Sequence, residues 1–278
     1  MKKFDYIFLS LAKNVEKTIP IFLNFINKIS KNRRVLVCIG EDSSKDNTLK
    51  IINSYKRKLN NLIIIKTDKI NKINNRIQKI ATGRQILKDY IIKNKLYGEF
   101  VVITDLDDVL KNGLSIKSFK QALHILQINK NKIFGISAKS KPYYYDMLNL
   151  KIPNLYNFNI YKIQSENNFD FYNKRKKYIY DYQVKISKMK DLLTISSFNG
   201  FCIYFFNDYK NSNYISKNKN ITPEHLYFNN NIYKKNKKFI LMSNAIILNT
   251  PQEHMPYNYF FYFVFKKIIN FIKHNAIK

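Results

Sequence analysis

The sequence predicts an α/β fold with a mostly parallel central sheet flanked by helices, followed by a less regular C-terminal half. Up to about residue 140, short β-branched and aromatic runs alternate with longer amphipathic stretches. This alternation is typical of βαβ units, in which consecutive strands run parallel. Acidic segments also lie at the carboxyl ends of the second and fourth predicted strands, where such sheets bind their ligands.

The elements of the first half follow from these two periodicities. Strands are predicted at 4–12, 33–40, 61–68, 99–108 and 132–140. Helices are predicted at 15–29, from the acidic segment at 41–48 to about 58, at 76–94 and at 115–127. Both acidic segments should therefore face one crevice at the carboxyl ends of the strands.

The second half is less regular. Residues 141–190 are rich in Tyr, Asn and Lys with weak periodicity, and only a helix near 173–188 is predicted there. A turn and strand follow at 196–206, then a capped helix at 222–235 and a strand at 238–248. The tail from residue 256 is aromatic and basic.

Length and composition indicate a globular protein with a large core. The chain has 278 residues, 45% of them hydrophobic, and only six Gly and six Pro. Cys38 and Cys202 lie in apolar runs without metal-ligand spacing, which predicts reduced core thiols and a cytoplasmic protein. The chain opens without a signal-peptide pattern, and no run reaches the ~18–20 apolar residues that span a bilayer.

The charge is strongly basic, with 49 Lys and Arg against 19 Asp and Glu, a formal net charge of +30. Such a charge fits nucleic acid, an anionic membrane or a phosphorylated substrate. The charge also has an explanation without function. A chain whose overall composition favours Lys, Asn, Ile, Tyr and Phe would carry lysine at surface positions where many residue types are tolerated. The charge alone therefore does not distinguish a nucleic acid, a membrane, a phosphorylated substrate or overall composition as its cause.

The segment "TDLDD" gathers carboxylates at the end of a predicted buried strand. Alternation should point Asp105 and Asp107 the same way while Leu106 enters the core. Paired carboxylates suit Mg²⁺ or Mn²⁺, which keep open positions for phosphate oxygens. The alternative is a pair of capping aspartates at a strand-to-helix junction.

Other polar residues suit a nucleotide ligand. Glu41 and Asp42, at the start of "EDSSKDNT", can accept hydrogen bonds from a base or ribose. Arg76 and Arg84 would lie eight residues apart on a helix, and two guanidinium groups suit a diphosphate. Helix capping and solvated surface arginines are the plainer interpretations.

The later motifs are ambiguous when taken singly. Asn199 and Gly200 form a turn that would present backbone groups to a sugar, and Glu224 with His225 opens a helix. Glu224 is a candidate base or a first-turn acid favoured by the helix dipole. His254 follows the last predicted strand and is a third metal ligand or a surface histidine.

In this order, the motifs resemble nucleotide-sugar-dependent glycosyltransferases of the Rossmann-like GT-A fold. They are most similar to the fungal capsular α-1,3-mannosyltransferase family, which has an arginine-bearing helix, a DxDD, an Asn-Gly segment and a Glu-His pair. The resemblance covers about residues 5–250. It implies a GT-A domain at 1–255, with a nucleotide-binding half at 1–140 and an acceptor half at 141–255.

The resemblance also implies a role for each motif. Asp105 and Asp107 would bind Mn²⁺ or Mg²⁺ and the ribose-diphosphate of a GDP- or UDP-sugar. His254 remains a candidate third metal ligand from its position after the last strand alone. Glu41 and Asp42 would contact the nucleoside, and Arg76 and Arg84 would contact the diphosphate. Asn199 and Gly200 would line the sugar site, and Glu224 and His225 would lie near the acceptor.

The function predicted is sugar transfer to a glycan or lipid-linked acceptor, with Glu224 as the catalytic residue. A nucleotidyltransferase also uses paired aspartates, but it would want a glycine-rich loop where "LSLAKNVEKT" has none. A nucleic-acid-binding module would explain the charge but not the acidic crevice, so no nucleic-acid partner is expected. As a helix, the tail at 256–278 would present an apolar side edged by lysines, which suits the inner face of an anionic membrane or the protein's own core.

Overall fold

A computed structural model describes residues 2–153, 181–216, 222–251 and 254. The strands in those ranges are β1 (Lys2–Ala12), β2 (Val35–Glu41), β3 (Leu62–Lys66), β4 (Leu96–Thr104), β5 (Ile133–Lys141), β6 (Leu192–Thr194), β7 (Phe201–Phe205) and β8 (Phe239–Asn249). The helices are α1 (Ile19–Ser30), α2 (Thr48–Tyr55), α3 (Arg76–Lys93), α4 (Ile116–Ile128), α5 (Asp181–Lys188), α6 (Phe206–Lys210) and α7 (Glu224–Asn236).

The strands form one eight-stranded sheet in the order β3-β2-β1-β4-β7-β5-β8-β6. Strands β1 to β4 pair in parallel, whereas β7 is antiparallel to both of its neighbours, β4 and β5. Because β8 pairs parallel with β5, six strands point the same way and only β6 and β7 run against them. The expected α/β fold with a mostly parallel sheet flanked by helices is confirmed.

Two apolar layers cover the faces of the sheet. Alternate side chains of β1 enter opposite layers, with Phe8 on one face and Ile7 and Leu9 on the other, all of them buried. Helices α1 and α4 pack on the first face, and α3, α6 and α7 on the second. Helix α3 approaches β1 closely at Gly83, where an added Cβ would lie 2.9 Å from Leu11 Cδ1. This close packing fixes the position of the next residue, Arg84.

Several predicted boundaries were wrong. Helix α1 begins at Ile19 rather than 15, because a turn over 15–18 precedes the proline in its first turn. Strand β4 ends at Thr104, so all three aspartates of "TDLDD" follow the strand instead of belonging to it. Leu106 is buried between them as expected, and its carbonyl accepts a hydrogen bond from Thr18 Oγ1.

Candidate functional site

A buried ion-pair network joins three elements at the carboxyl end of β4. Arg84, from α3, donates from Nη2 to Asp105 Oδ1 at 2.8 Å and from Nε to Glu224 Oε1 at 3.3 Å. Its guanidinium carbon also lies 5.0 Å from the centre of the Phe198 ring. Burial opposes the charge of Arg84, but the two carboxylates outweigh burial and raise its pKa. Arg84 therefore remains a cation that holds α3, β4 and α7 together.

Glu224 begins α7 and is 7% exposed. Burial raises the pKa of Glu224, Arg84 opposes that rise, and Asp105 adds to it. A carboxyl group whose pKa is raised toward neutrality suits proton transfer better than an ordinary surface glutamate. The geometry therefore supports more than a helix-dipole role for Glu224.

His225, predicted near the acceptor, is completely buried. Its ring stacks on Phe198 with the ring centres 3.6 Å apart, and its pKa is held well below the ordinary value by burial and by Arg84. Tyr204 donates to Asn229 Oδ1, so its oxygen accepts from His225 Nδ1 at 3.4 Å. This network places the imidazole proton on Nδ1 and leaves Nε2 as an acceptor, 4.0 Å from Glu224 Oε1.

The predicted metal ligands lie around Tyr145. Burial is the largest cause that raises the pKa of the Tyr145 hydroxyl, and Asp105 and Asp107 raise it further. The ring of His254 stacks on the ring of Tyr145, with the ring centres 5.0 Å apart. The Tyr145 hydroxyl is buried and lacks a hydrogen-bond partner among the described residues. Asp107 is exposed and accepts from Val109 N.

These donors are chemically suited to Mn²⁺ or Mg²⁺, since hard cations prefer carboxylate oxygens. Within the described ranges, however, no group of three or more His, Cys, Asp or Glu side chains is arranged to hold a metal ion. A cation at Asp105 and Asp107 would need further oxygens from a ligand or from water.

Gly200 joins β7 to the end of β4. Its carbonyl accepts from Asp105 N at 2.8 Å, and its φ of +78° is in the left-handed region. An added Cβ would lie 2.8 Å from Tyr145 Oη, so the turn needs glycine for both backbone and space. The neighbouring Asn199 is buried; its Oδ1 accepts from Asp146 N, and its Nδ2 has no hydrogen-bond partner among the described residues.

Glu41, the last residue of β2, and Asp42, which follows it, lie at the same edge of the sheet. The Glu41 carboxylate accepts from Ser43 N and Ser44 N and so shapes its own loop. Asp42 is 5% exposed and pairs with Lys13 at 2.9 Å. Its Oδ1 is buried and has no partner in the described part of the chain, which leaves an acceptor for a ligand N–H or O–H.

The two predicted arginines are placed differently. Arg84 is buried in the ion-pair network, whereas Arg76 is exposed at the first position of α3. The structure therefore brings Arg84, Asp105 and Glu224 together without including Arg76. Whether Arg76 contacts a diphosphate stays a prediction.

Sequence reasoning missed Asp146. Its carboxylate accepts from Asn149 N and Nδ2. Burial, with Glu224 and Asp105 nearby, raises its pKa to about 7 even though the Asn149 hydrogen bonds lower it. Asp146 lies in the irregular region where no motif was recognised; an acid following three tyrosines was the only signal available.

The predicted tail at 256–278 lies outside the described residues, so its membrane role stays a prediction, as does the cytoplasmic location. Among the helices that the structure describes, none has the length and apolar character needed to cross a membrane.

Searches against protein-family models and curated proteins give no match. Solved structures do match. TarS 1–349 from S. aureus in complex with UDP has a TM-score of 0.52 and 16% identity, over 89% of this chain and 60% of that one. The same protein in complex with UDP-GlcNAc gives a TM-score of 0.50 and 17% identity, over 89% and 58% of the two chains.

The mannosyltransferase PcManGT from Pyrobaculum calidifontis, in complex with GDP-Man and Mn²⁺, has a TM-score of 0.50 and 10% identity, over 90% of this chain and 57% of that one. Identities this low establish a shared GT-A fold alone. The chain spans about 60% or less of the length of these proteins.

Proposed function

We propose that the protein is a metal-dependent glycosyltransferase that moves a sugar from a nucleoside-diphosphate sugar to a hydroxyl group of a glycan or glycolipid. The observation that carries this proposal is the network of Arg84, Asp105 and Glu224 at the carboxyl edge of a GT-A sheet. Solved structures with this fold contain UDP, UDP-GlcNAc or GDP-Man, which supports a nucleotide-sugar donor.

The nucleoside lies against the loop after β2. The unpartnered, buried Asp42 Oδ1 accepts a hydrogen bond from the base or ribose, because a buried acceptor without a partner is costly. Lys13 holds the other Asp42 oxygen, Oδ2, in place. Glu41 supports this arrangement through the backbone of its own loop.

The diphosphate lies beside Asp105 and Asp107. Mn²⁺ or Mg²⁺ held by these carboxylates, with His254 nearby, would neutralise charge on the departing diphosphate. Arg84 holds Asp105 in place through a hydrogen bond to Oδ1, and it adds positive charge beside this carboxylate. Arg76 stands at the exposed start of α3 as a second diphosphate contact.

The sugar lies near Asn199 and Gly200, where the Asn199 Nδ2 donor lacks a partner. In an inverting transfer the acceptor oxygen bonds to the anomeric carbon, the bond from that carbon to the diphosphate oxygen breaks, and Glu224 takes the acceptor proton. In a retaining transfer Glu224 orients the donor or acceptor instead. Arg84 Nε, which donates to Glu224 Oε1, holds this carboxylate in position.

The donor is a GDP- or UDP-sugar, and the resemblance to the capsular mannosyltransferases favours mannose. One solved structure of the same fold contains GDP-Man. Because another contains UDP-GlcNAc, both nucleotides belong in any test. Nucleotidyl transfer is less favoured, because "LSLAKNVEKT" after β1 lacks a glycine-rich loop.

The test is turnover of a panel of GDP- and UDP-sugars with Mn²⁺, following release of the free nucleoside diphosphate. We expect one donor to be hydrolysed or transferred, and Glu224→Gln to lower kcat by about 10²–10⁴-fold as the loss of a general base would. Glu99→Gln, an exposed glutamate on β4, is the matched control and should retain the wild-type rate. No turnover with any donor would refute the function, and equal rates for the two variants would remove Glu224 from the mechanism.

A further inference from the structure

The positive charge of the molecule is concentrated at one edge of the sheet. Because six strands point the same way, the connections that lead from a helix into a parallel strand lie at the edge opposite the site. The chain there reads KNRR, KRK, KNK, KNK and KKNKK, at residues 31–34, 56–58, 93–95, 130–132 and 234–238. We call these five segments the basic edge.

The cations of the basic edge are exposed, except for the half-buried Lys238. None of them forms an ion pair with an acid in the described part of the chain. The acids near this edge are already hydrogen-bonded: Asp5 to Arg34 N, Glu99 to Gln127 and Asp208 to Asn236. The 14 cations of the five segments outnumber these three acids, so the edge keeps a net positive charge.

Composition alone does not explain this distribution. Four connections at the opposite edge, those that lead from β1, β2, β3 and β4 to the next helix, cover residues 13–18, 42–47, 67–75 and 105–115. Each contains at least one acid, and together their acids and lysines are nearly balanced. A composition rich in lysine would load both edges equally, since both consist of surface loops.

Apolar side chains are exposed among these cations. Ile92 is 38% exposed beside Lys93, and Ile128 is 66% exposed two residues before Lys130. Lys58 Nζ lies 5.5 Å from the centre of the Tyr55 ring, and Lys237 Nζ lies 5.7 Å from that of Tyr233. Lysines mixed with exposed isoleucine and half-buried tyrosine match a bilayer interface, where cations meet lipid phosphates and apolar groups enter the acyl boundary.

We propose that the basic edge docks the protein onto the surface of a membrane that contains anionic lipid. None of its five segments belongs to the tail at 256–278, and the proposal does not depend on the proposed sugar transfer. When the basic edge is docked, the crevice opens away from the bilayer by about one strand length, roughly 20–35 Å. An acceptor would therefore be reached from the aqueous side.

The test is cosedimentation of the full chain with phosphatidylcholine vesicles that contain or lack phosphatidylserine. Wild type should bind only the vesicles with phosphatidylserine. The variant K56Q/R57Q/K58Q should bind these about 100-fold more weakly, since each surface cation contributes about fivefold. The control K17Q/K66Q/K111Q removes the same charge from exposed positions at the opposite edge and should stay within a few-fold of wild type.

A second pair separates lipid from nucleic acid. Ile128→Gln should weaken vesicle binding several-fold, whereas Ile247→Gln, which alters an exposed isoleucine on β8 outside the basic edge, should not. Equal losses in the two triple variants would overturn the proposal, because net charge rather than the edge would then account for binding. Binding of duplex DNA without binding of vesicles would overturn it in favour of a nucleic-acid surface. Circular dichroism and thermal melting of each variant establish that it is folded.

Discussion

At the scale of single residues, Arg84 is the group that makes the acidic site stable. Asp105, Asp146 and Glu224 lie close enough for each to raise the pKa of a neighbour. Arg84 is 5% exposed and contacts two of these three acids. Without it, buried carboxylates would face each other without a countercharge.

Arg84→Ala should therefore lower the free energy of unfolding by about 3–5 kcal/mol, the usual effect of removing one partner from a buried ion pair. Arg76→Ala, on the exposed first turn of the same helix, should change it by less than about 0.5 kcal/mol. Urea denaturation measures both. Equal stability of the two variants would mean that Arg84 is an ordinary surface arginine.

The raised pKa of Asp146 predicts how the stability of the protein depends on pH. Its pKa is raised to about 7, compared with about 3.9 in an unfolded chain. The folded state thus binds the proton more tightly, and this contribution to stability is lost as pH rises between those values. Without divalent metal, the stability of Asp146→Asn relative to wild type should rise by roughly 2–4 kcal/mol from about pH 4 to about pH 8.

Denaturation curves collected across this pH range measure the difference. Asp108→Asn, an exposed carboxylate, is the control and should give a nearly constant offset. If the free energy of unfolding of Asp146→Asn also changes with pH in parallel with that of wild type, the pKa of Asp146 is not raised.

At the scale of elements, the first half was predictable because each helix and strand there has its own clear period. The position of β7 was not predictable. Its apolar run indicated a strand, but its insertion between β4 and β5, antiparallel to both, depends on tertiary pairing. That insertion brings Gly200 and Asn199 to the end of β4. The sequence thus indicated Arg84, Asp105 and Glu224 as candidates but not their mutual contacts, and it gave no indication of Asp146.

Substitution of Gly200 tests whether its turn packs against Tyr145 at the end of β4. Gly200 and Gly113 both have positive φ, but an added Cβ at Gly113 would meet its nearest neighbour, Ile21, at 3.6 Å rather than at 2.8 Å. Gly113→Ala should cost about 1–2 kcal/mol for the left-handed backbone alone. Gly200→Ala should cost a further 1–3 kcal/mol or so for overpacking against Tyr145, and should also weaken nucleotide binding. Thermal melting that shows equal costs would contradict this packing.

At the scale of the whole molecule, the two edges of the sheet differ in chemistry. The carboxyl edge carries carboxylates, Arg84 and unpartnered polar atoms, whereas the opposite edge carries exposed lysine and arginine. Composition counts could not separate these, because the formal charge of +30 sums over both edges. Only the strand order assigns each segment to an edge.

The account depends most on a metal-dependent nucleotide site at Asp105 and Asp107, and calorimetric titration with UDP and GDP tests this directly. Wild type should bind one nucleotide with Mn²⁺ and lose that binding in excess chelator. Asp107→Asn should lose it as well while remaining folded, since asparagine can still cap Val109 N. Asp108→Asn, altering the adjacent exposed carboxylate, should bind like wild type. Undiminished binding in chelator, or equal binding by the two variants, would contradict the account.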